Sequence, residues 1–169
     1  MSSRSIQRTE LPPDALLARY RERGAYTDCF IATLPQPLSL AAYVDAFYAT
    51  PLFRLERLIL ALAARRPSTD LEARQLAIGQ CDSFAAWRVE ARSADQILLC
   101  DMAGRTRSWL MVAPEPGGGT RLHFGSAVLP VSAGDGAPRM GLAFRALLGF
   151  HKLYARTLLW SAWRRLVPR

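Results

Sequence analysis

The sequence predicts an α+β fold in which a curved antiparallel sheet is closed over by a long C-terminal helix, with short helices after the first strand. Three observations lead to this fold class. Between residues 82 and 131, apolar and polar residues alternate with the two-residue period of strands, interrupted by turn segments. Beyond residue 138 the period becomes helical almost to the end. Before residue 80, caps and breakers mark short helices around one strand.

The amino-acid composition restricts the kinds of protein that this chain can be. The chain has 169 residues, of which 50% are hydrophobic and 21% charged, a balance typical of a globular domain. We expect residues 1–169 to form one domain, with the polar residues 1–10 as a flexible tail. The charge of +8 would suit nucleic acid, but arginines occur in every segment, so no nucleic-acid binding is expected. The three dispersed cysteines and the lack of an apolar leader or membrane-length apolar run predict a cytoplasmic protein with reduced thiols.

Local signals divide the part of the chain that precedes the alternating region. The stretch AYTDCFIATLP predicts the first strand, because it is rich in β-branched and aromatic residues. One helix is expected before it and three after it, the second of these opening at PLFRLERLILALAARR. The expected caps and stops are, in chain order, Asp14, Gly24, Pro35, Ser39, Thr50, the capping box of Thr69 with Glu72, and Gly79.

Four strands joined by turns are expected between residues 82 and 131. In the first, Trp87, Val89 and Ala91 alternate with charged residues, which predicts one dry and one wet face. The second, QILLCDM, is apolar on both faces and is therefore expected inside the sheet. Ala103 and Gly104 make the hairpin to the third strand.

The third and fourth strands carry the remaining candidate residues of the sheet. In RTRSWLMVAP, Arg107 and Trp109 share a face, so Arg107 points inward if the indole does. In TRLHFGSAVLPV, Phe124 faces the core, and His123 lies on the opposite face, where an exposed or rim position is expected. The glycines 117–119 between these strands form a hairpin loop and not a phosphate cradle, because a strand follows them.

Residues 140–166 are expected to form a helix on the order of 40 Å long, with a bend or a late start near Gly149. Its apolar face needs a cover, and the sheet is the available partner. That face comprises Phe144, Leu147, Leu148, His151, Tyr154, Leu158 and Ala162.

Three stretches carry a resemblance to a known superfamily, namely AWRVEARSADQILLCDMAGRTRSWLMVAP, GGGTRLHFGSAVLPV and GFHKLYARTLLWSAWRRL, which together make up about half of the chain. Their order, and the Phe-His, Leu-Leu and Arg-Arg-Leu pattern of the last one, resemble the START-like (SRPBCC, helix-grip) superfamily and within it a bacterial domain-of-unknown-function branch. The resemblance implies a sheet that grips the last helix around an apolar cavity, and a lipid or polyketide-like ligand.

The implied cavity has six candidate ligand-binding residues: Trp87, Trp109, Phe124, His151, Tyr154 and Arg107. Tryptophans would supply apolar walls, with core packing as the alternative. Arg107 would bind a carboxylate or phosphate, with solvent exposure as the alternative. His151 is also the candidate catalytic residue, because a neutral imidazole on an apolar helix face can act as a general base; a structural histidine is the alternative.

Three functions are compatible with these observations. The first is a non-enzymatic binding protein for a hydrophobic small molecule. The second is a cyclase, hydratase or isomerase that uses His151 in the same cavity. The third is an interaction module whose Arg-rich terminus, SAWRRLVPR, contacts an acidic partner or the surface of a membrane. The sequence has no P-loop, GxSxG or HExxH motif, and we expect neither a cofactor nor a metal.

Overall fold

The computed structural model describes residues 6–55, 68–129 and 142–167, with the backbone but not the side chains of 142–153. Seven strands and four helices have defined bounds, and residues 51–55 are also helical. In chain order the elements are β1 Gln7–Arg8, α1 Ala18–Glu22, β2 Tyr26–Leu34, α2 Leu40–Tyr48, α3 Asp70–Ala77, β3 Ser83–Phe84, β4 Trp87–Arg92, β5 Gln96–Asp101, β6 Thr106–Glu115, β7 Gly119–Val128 and α4 Leu142–Leu166.

All seven strands form one curved antiparallel sheet in the order β1-β2-β7-β6-β5-β4-β3. The α+β class, the strand at AYTDCFIATLP and the four later strands are thereby confirmed. Two strands were not expected, β1 and the two-residue β3, which makes five strands and not four between residues 82 and 131. In β1, Gln7 pairs with Ile31 and Arg8 with Phe30, and Ile6 is buried. The prediction of a flexible tail is therefore wrong for residues 6–8, because they extend the sheet beyond β2.

The sheet is covered on both faces. On the front face, α2, α3 and α4 pack on the inward side chains of the strands; on the back face, the segment 11–25 with α1 packs on a second apolar cluster. The wet face predicted for β4 is confirmed at Arg88, which is exposed, and wrong at Glu90, because α1 half-buries it. The front core is rich in aromatic rings whose centroids lie 4.7–6.4 Å apart, those of Tyr43, Phe47, Tyr48, Phe53, Phe84 and Phe124.

The back cluster is tightly packed around Trp109, which is fully buried. Leu17 lies against the same part of the sheet, where β7 has Gly125. A Cβ atom at this glycine would lie 2.7 Å from the carbonyl oxygen of Asp28 and 3.0 Å from Cε3 of Trp109. A residue without a side chain is therefore required at the crossing of the indole and β7.

A β-bulge changes the alternation within β4. Val89 pairs with Leu99, but Ala91 pairs with Leu98, so the register shifts at Glu90. As a result, Trp87 and Val89 face the front core, whereas Ala91 packs in the back cluster. The prediction that all three share one face is wrong for Ala91, because the extra residue reverses the side-chain direction.

Most helix caps are confirmed. The side chain of Ser39 accepts a hydrogen bond from the backbone N–H of Ala42, and Thr69 with Glu72 forms the complete capping box. The expected cap at Asp14 is wrong: α1 begins only at Ala18, and no side-chain hydrogen bond caps it. The chain from 12 to 17 instead forms turns that follow the back face.

The helix predicted at PLFRLERLILALAARR is described only at its start. Thr50 Oγ1 accepts the backbone N–H of Phe53 at 3.2 Å, so the expected cap at Thr50 is confirmed. Residues 51–55 are helical, and the remainder of this prediction lies outside the described residues.

A C-terminal helix is confirmed at Leu142–Leu166, and because it begins before Gly149 the alternative of a late start there is wrong. On its predicted apolar face, Leu158 and Ala162 are buried and Tyr154 is half-buried, while the side chains predicted at 144–151 lie outside the described part. Its last turn is fastened to the end of β2, because Trp163 Nε1 donates to the carbonyl oxygen of Thr33 at 2.8 Å. In the ranges that the structure describes, no helix has the length and apolarity needed to cross a membrane.

Candidate functional site

The sheet separates the six candidate ligand-binding residues. Trp87, Phe124 and Tyr154 belong to the front core. Trp109 and Arg107 lie on the back face, and the side chain of His151 is outside the described part. The shared face of Arg107 and Trp109 is confirmed, but the residues described do not line one common space. The two faces therefore have to be considered separately.

On the back face, Trp109 is bound to a buried glutamine. Its Nε1 donates to Gln96 Oε1 at 2.9 Å, and the same oxygen accepts the backbone N–H of Leu16 at 2.9 Å. Gln96 Nε2 in turn donates to the carbonyl oxygen of Asp14 at 3.1 Å. Both ends of the amide are used, so Gln96 and Trp109 fasten the N-terminal segment to the sheet.

Arg107 is 9% exposed, and two of its three side-chain nitrogens donate hydrogen bonds inside the protein. Nε donates to Glu90 Oε2 at 2.6 Å and to the hydroxyl of Tyr20 at 2.8 Å, and Nη1 donates to the carbonyl oxygen of Gly104 at 2.9 Å. Tyr20 completes the triangle by donating to Glu90 Oε1 at 2.5 Å. These bonds hold α1 on the sheet, which accounts for Arg107 without a ligand.

The electrostatics of this triangle favour the charged carboxylate. Burial by itself would raise the pKa of Glu90, but the hydrogen bond from Tyr20 and the charge of Arg107 outweigh it, and the pKa lies below its ordinary value. Arg19 adds a further ion pair at 2.5 Å from Glu90 Oε1. At the hairpin that follows β5, Asp101 Oδ1 accepts the backbone N–H groups of Arg105 and Thr106.

His123 also lies on the back face, 5% exposed, with its ring centroid 5.9 Å from that of Trp109. The prediction of an exposed or rim position is wrong, because the N-terminal segment covers this part of the sheet. Its Nδ1 is buried and has no hydrogen-bond partner among the described residues. Burial and the positive charge of Arg121 lower the pKa of His123, so the neutral imidazole is favoured.

On the front face, Trp87 has a buried hydrogen-bond donor that is not used. The ring is half-buried against the front core, and the residue pairs across the hairpin with Phe84. Its Nε1 is shielded from solvent, yet no acceptor lies within hydrogen-bond distance in the described ranges. The turn that carries it is strained, because Ala85 has a φ of 51°.

A row of polar side chains crosses the front face beyond the aromatic rings. This polar row consists of Asp28, Ser126 and Ser108, which face one another on β2, β7 and β6 and are all buried. Asp28 is 4% exposed, and its Oδ1 accepts the backbone N–H of Ser126 at 3.0 Å and its hydroxyl at 2.6 Å. Within the described part, no cationic side chain forms an ion pair with Asp28.

The buried carboxylate of Asp28 alters its neighbours. Burial, with the charge of Asp28 second, raises the pKa of Tyr26 to about 12 and that of Cys29 to about 12. Burial likewise raises the pKa of Cys100. Both cysteines are therefore protonated at neutral pH and are not reactive thiols, and all three cysteines of the chain are free. No group of acidic, histidine or cysteine side chains in the described ranges could hold a metal ion.

Comparison with known proteins gives no further assignment. No protein-family model, curated protein or solved structure matches this chain. The START-like resemblance therefore remains a hypothesis from the sequence, and function has to be argued from the geometry of the two faces.

Proposed function

We propose that this protein binds a small, largely apolar molecule that carries a hydrogen-bond acceptor, at the front face of the sheet beside Trp87. The observation that carries the proposal is the buried indole N–H of Trp87, which has no acceptor in the described part of the protein. It acts as a binding protein and not as a catalyst.

An unused donor of this kind has an energetic cost. Leaving a buried N–H without a partner costs about 1–3 kcal/mol, and native proteins pair the great majority of such groups. A ligand oxygen that reached Nε1 would recover this cost on binding. The half-buried ring, with Phe84 and Val89 on the same face, supplies the apolar surface that the rest of the ligand needs.

The polar row gives the ligand a second polar contact at a defined distance. Neighbouring strands lie about 4.8 Å apart, so Ser108 on β6 is about 10 Å across the sheet from β4, which carries Trp87. In register, Ser108 pairs with Leu99 of β5 and Leu99 with Val89 of β4, so Ser108 is also offset from Trp87 by two residues along the strand. An apolar body with a polar group at each end, reaching two strand spacings across the sheet and two residues along it, fits this arrangement.

The second half of α4 limits where the ligand can lie. Leu158, Leu159 and Ala162 are packed against the front core, and Trp163 is bonded to the end of β2. The proposed site therefore lies away from this half of α4, on the side of the front face where Trp87 is. The START-like, helix-grip resemblance favours the same class of ligand, a lipid or polyketide-like molecule between sheet and helix. The cyclase, hydratase or isomerase alternative depends on His151, whose side chain lies outside the described part.

The test uses native mass spectrometry of the protein purified from its own host, to detect a retained small molecule. Trp87→Phe keeps the aromatic surface and removes the N–H, so we expect about a tenfold loss of affinity for a ligand identified in this way. Trp160→Phe is the matched control, because Trp160 is exposed. Equal affinity of Trp87→Phe and wild type, or a ligand that remains bound when the front face is blocked by Val89→Trp, contradicts the proposal.

A further inference from the structure

The net charge of the chain is concentrated in one segment. Residues 1–135 contain 15 basic and all 14 acidic side chains, whereas residues 136–169 contain 7 basic and none that is acidic. This C-terminal segment therefore carries +7 of the total +8. The arginines are spread along the sequence, as expected, but the acids that would neutralise them are not.

The structure places part of this charge on one exposed face of α4. Arg156, Trp160 and Arg164 follow one another at intervals of four residues, and Arg165 adjoins them; we call these four residues the Arg-Trp stripe. All four are exposed, Trp160 to 42%. The guanidinium of Arg164 lies 4.8 Å from the centroid of the indole of Trp160.

The opposite face of the same helix is buried. Ala155, Leu158, Leu159 and Ala162 are all 3% exposed or less. The Arg-Trp stripe is thus held on a rigid element by the front core. None of its arginines has a carboxylate partner among the described residues. The guanidinium groups remain available to an outside anion.

A groove adjoins the stripe. It has a volume of ≈ 570 Å³ and is lined by Pro51, Ser161 and Val167 in addition to Trp160, Arg164 and Arg165. A concave surface with apolar and cationic walls can receive a group that has both an apolar part and an anionic head.

We propose that the Arg-Trp stripe docks the protein on a membrane surface that contains anionic phospholipid. Arginine binds phosphate oxygens, and tryptophan is enriched at the depth of the lipid head groups. Because the apolar side chains described on α4, at residues 155–162, are already buried in the core, this part of the helix lies on the membrane surface and does not insert. The stripe is about 12 Å long from Arg156 to Arg164, which spans several head groups but is short for the multiple phosphate contacts of a nucleic-acid site.

This inference is independent of the proposed function. The stripe lies on the outer side of α4, whereas Trp87 lies on β4 and is half-buried against the front core. Either site can fail without the other.

The test is sedimentation of the full chain with vesicles of phosphatidylcholine alone and of phosphatidylcholine mixed with phosphatidylglycerol. We expect binding only to the mixed vesicles, weakening as salt is raised, with a blue shift of the emission from Trp160. Each arginine near an anionic surface contributes about fivefold, so Arg156→Gln with Arg164→Gln and Arg165→Gln should lower the partition coefficient about a hundredfold.

The matched control replaces three exposed arginines elsewhere, Arg21→Gln, Arg88→Gln and Arg105→Gln, and changes the net charge equally. This control should lose less than tenfold, and far-ultraviolet circular dichroism should show that both triple variants are folded. Equal losses in the two triple variants, no binding to the mixed vesicles, or binding to duplex DNA in place of vesicles at the same salt would each overturn the proposal.

Discussion

Trp109 and Trp87 lie on opposite faces of one sheet, and each has a buried indole nitrogen, but only Trp109 has a hydrogen-bond partner. On the back face, Gln96 bonds to Trp109 and to the backbone, and Arg107, Glu90 and Tyr20 bond to one another, so most polar groups there stabilise the fold. On the front face, the N–H of Trp87 is left without an acceptor among the described residues. A buried polar group that is hydrogen-bonded within the chain is explained by its contribution to the fold. A buried polar group without a hydrogen-bond partner has to be explained in another way.

The largest expected effect on stability comes from removing the Glu90 carboxylate, which accepts hydrogen bonds from both Arg107 and Tyr20. Glu90→Ala leaves the buried guanidinium without its ion pair, and we expect the free energy of unfolding to fall by about 3 kcal/mol. Glu115→Ala is the matched control, because Glu115 pairs with Arg121, whose side chain is 44% exposed; its loss should be below about 1 kcal/mol. Urea denaturation measures both, and equal losses would show that the triangle around Arg107 does not stabilise the back face.

The two tryptophans give the most direct comparison. Trp109→Phe removes the donor to Gln96 and leaves a smaller ring in a fully buried position, which should cost about 2 kcal/mol. Trp87→Phe removes a donor that has no partner in the described part, so its cost should be near zero or the variant should be more stable than wild type. Thermal unfolding of the two variants without ligand measures the difference. A loss at Trp87 as large as at Trp109 would mean that its N–H is paired in solution.

His123 is, with Nε of Arg19, an exception on the back face, since its Nδ1 is buried without a partner in the described part. Its folded pKa is lowered from the ordinary 6.5, so the unfolded chain takes up a proton more readily. The contribution of His123 to the free energy of unfolding should be fully present above pH 6.5. It should be lost as the pH drops from there toward the folded pKa. His123→Gln should flatten this part of the pH profile, whereas His151→Gln, the other histidine, serves as the control. An unchanged slope in His123→Gln would assign the pH dependence to other groups.

Local patterns predicted those parts of the fold that depend on neighbours in sequence. The interior position of β5, the cap at Ser39 and the capping box at Thr69 follow from residues a few positions apart. Contacts between distant parts of the chain do not: on the back face Gln96 bonds to Asp14, 82 residues away, and on the front face Asp28 bonds to Ser126, 98 residues away. Single-sequence periodicity has no information on such pairings.

The candidate site shows the same limit. Trp87 was predicted to line a pocket, but what distinguishes it from Trp109 is the absence of a partner in the described ranges, which only coordinates show. Alternation also failed locally at Glu90, because a bulge has no mark in composition. Two features of the structure were visible in the sequence. Asp28 is an acidic residue inside a strand of core type, TDCF, and the segment 136–169 contains no acidic residue.

The smallest effect concerns the turn that carries Trp87. Ala85 has a φ of 51°, a left-handed conformation that costs an alanine about 1–2 kcal/mol and a glycine little. After the greater flexibility of glycine in the unfolded chain is subtracted, Ala85→Gly should stabilise the protein by about 0.5 kcal/mol. Ala86→Gly, the next residue in the same turn and one with a negative φ, should instead destabilise it by a similar amount. Opposite signs in urea denaturation would show that the front-face hairpin is held in a strained conformation next to the unpaired donor. If Ala85→Gly also weakens ligand binding, this strain is part of how Trp87 is positioned; if binding is unchanged, the front core alone positions the ring.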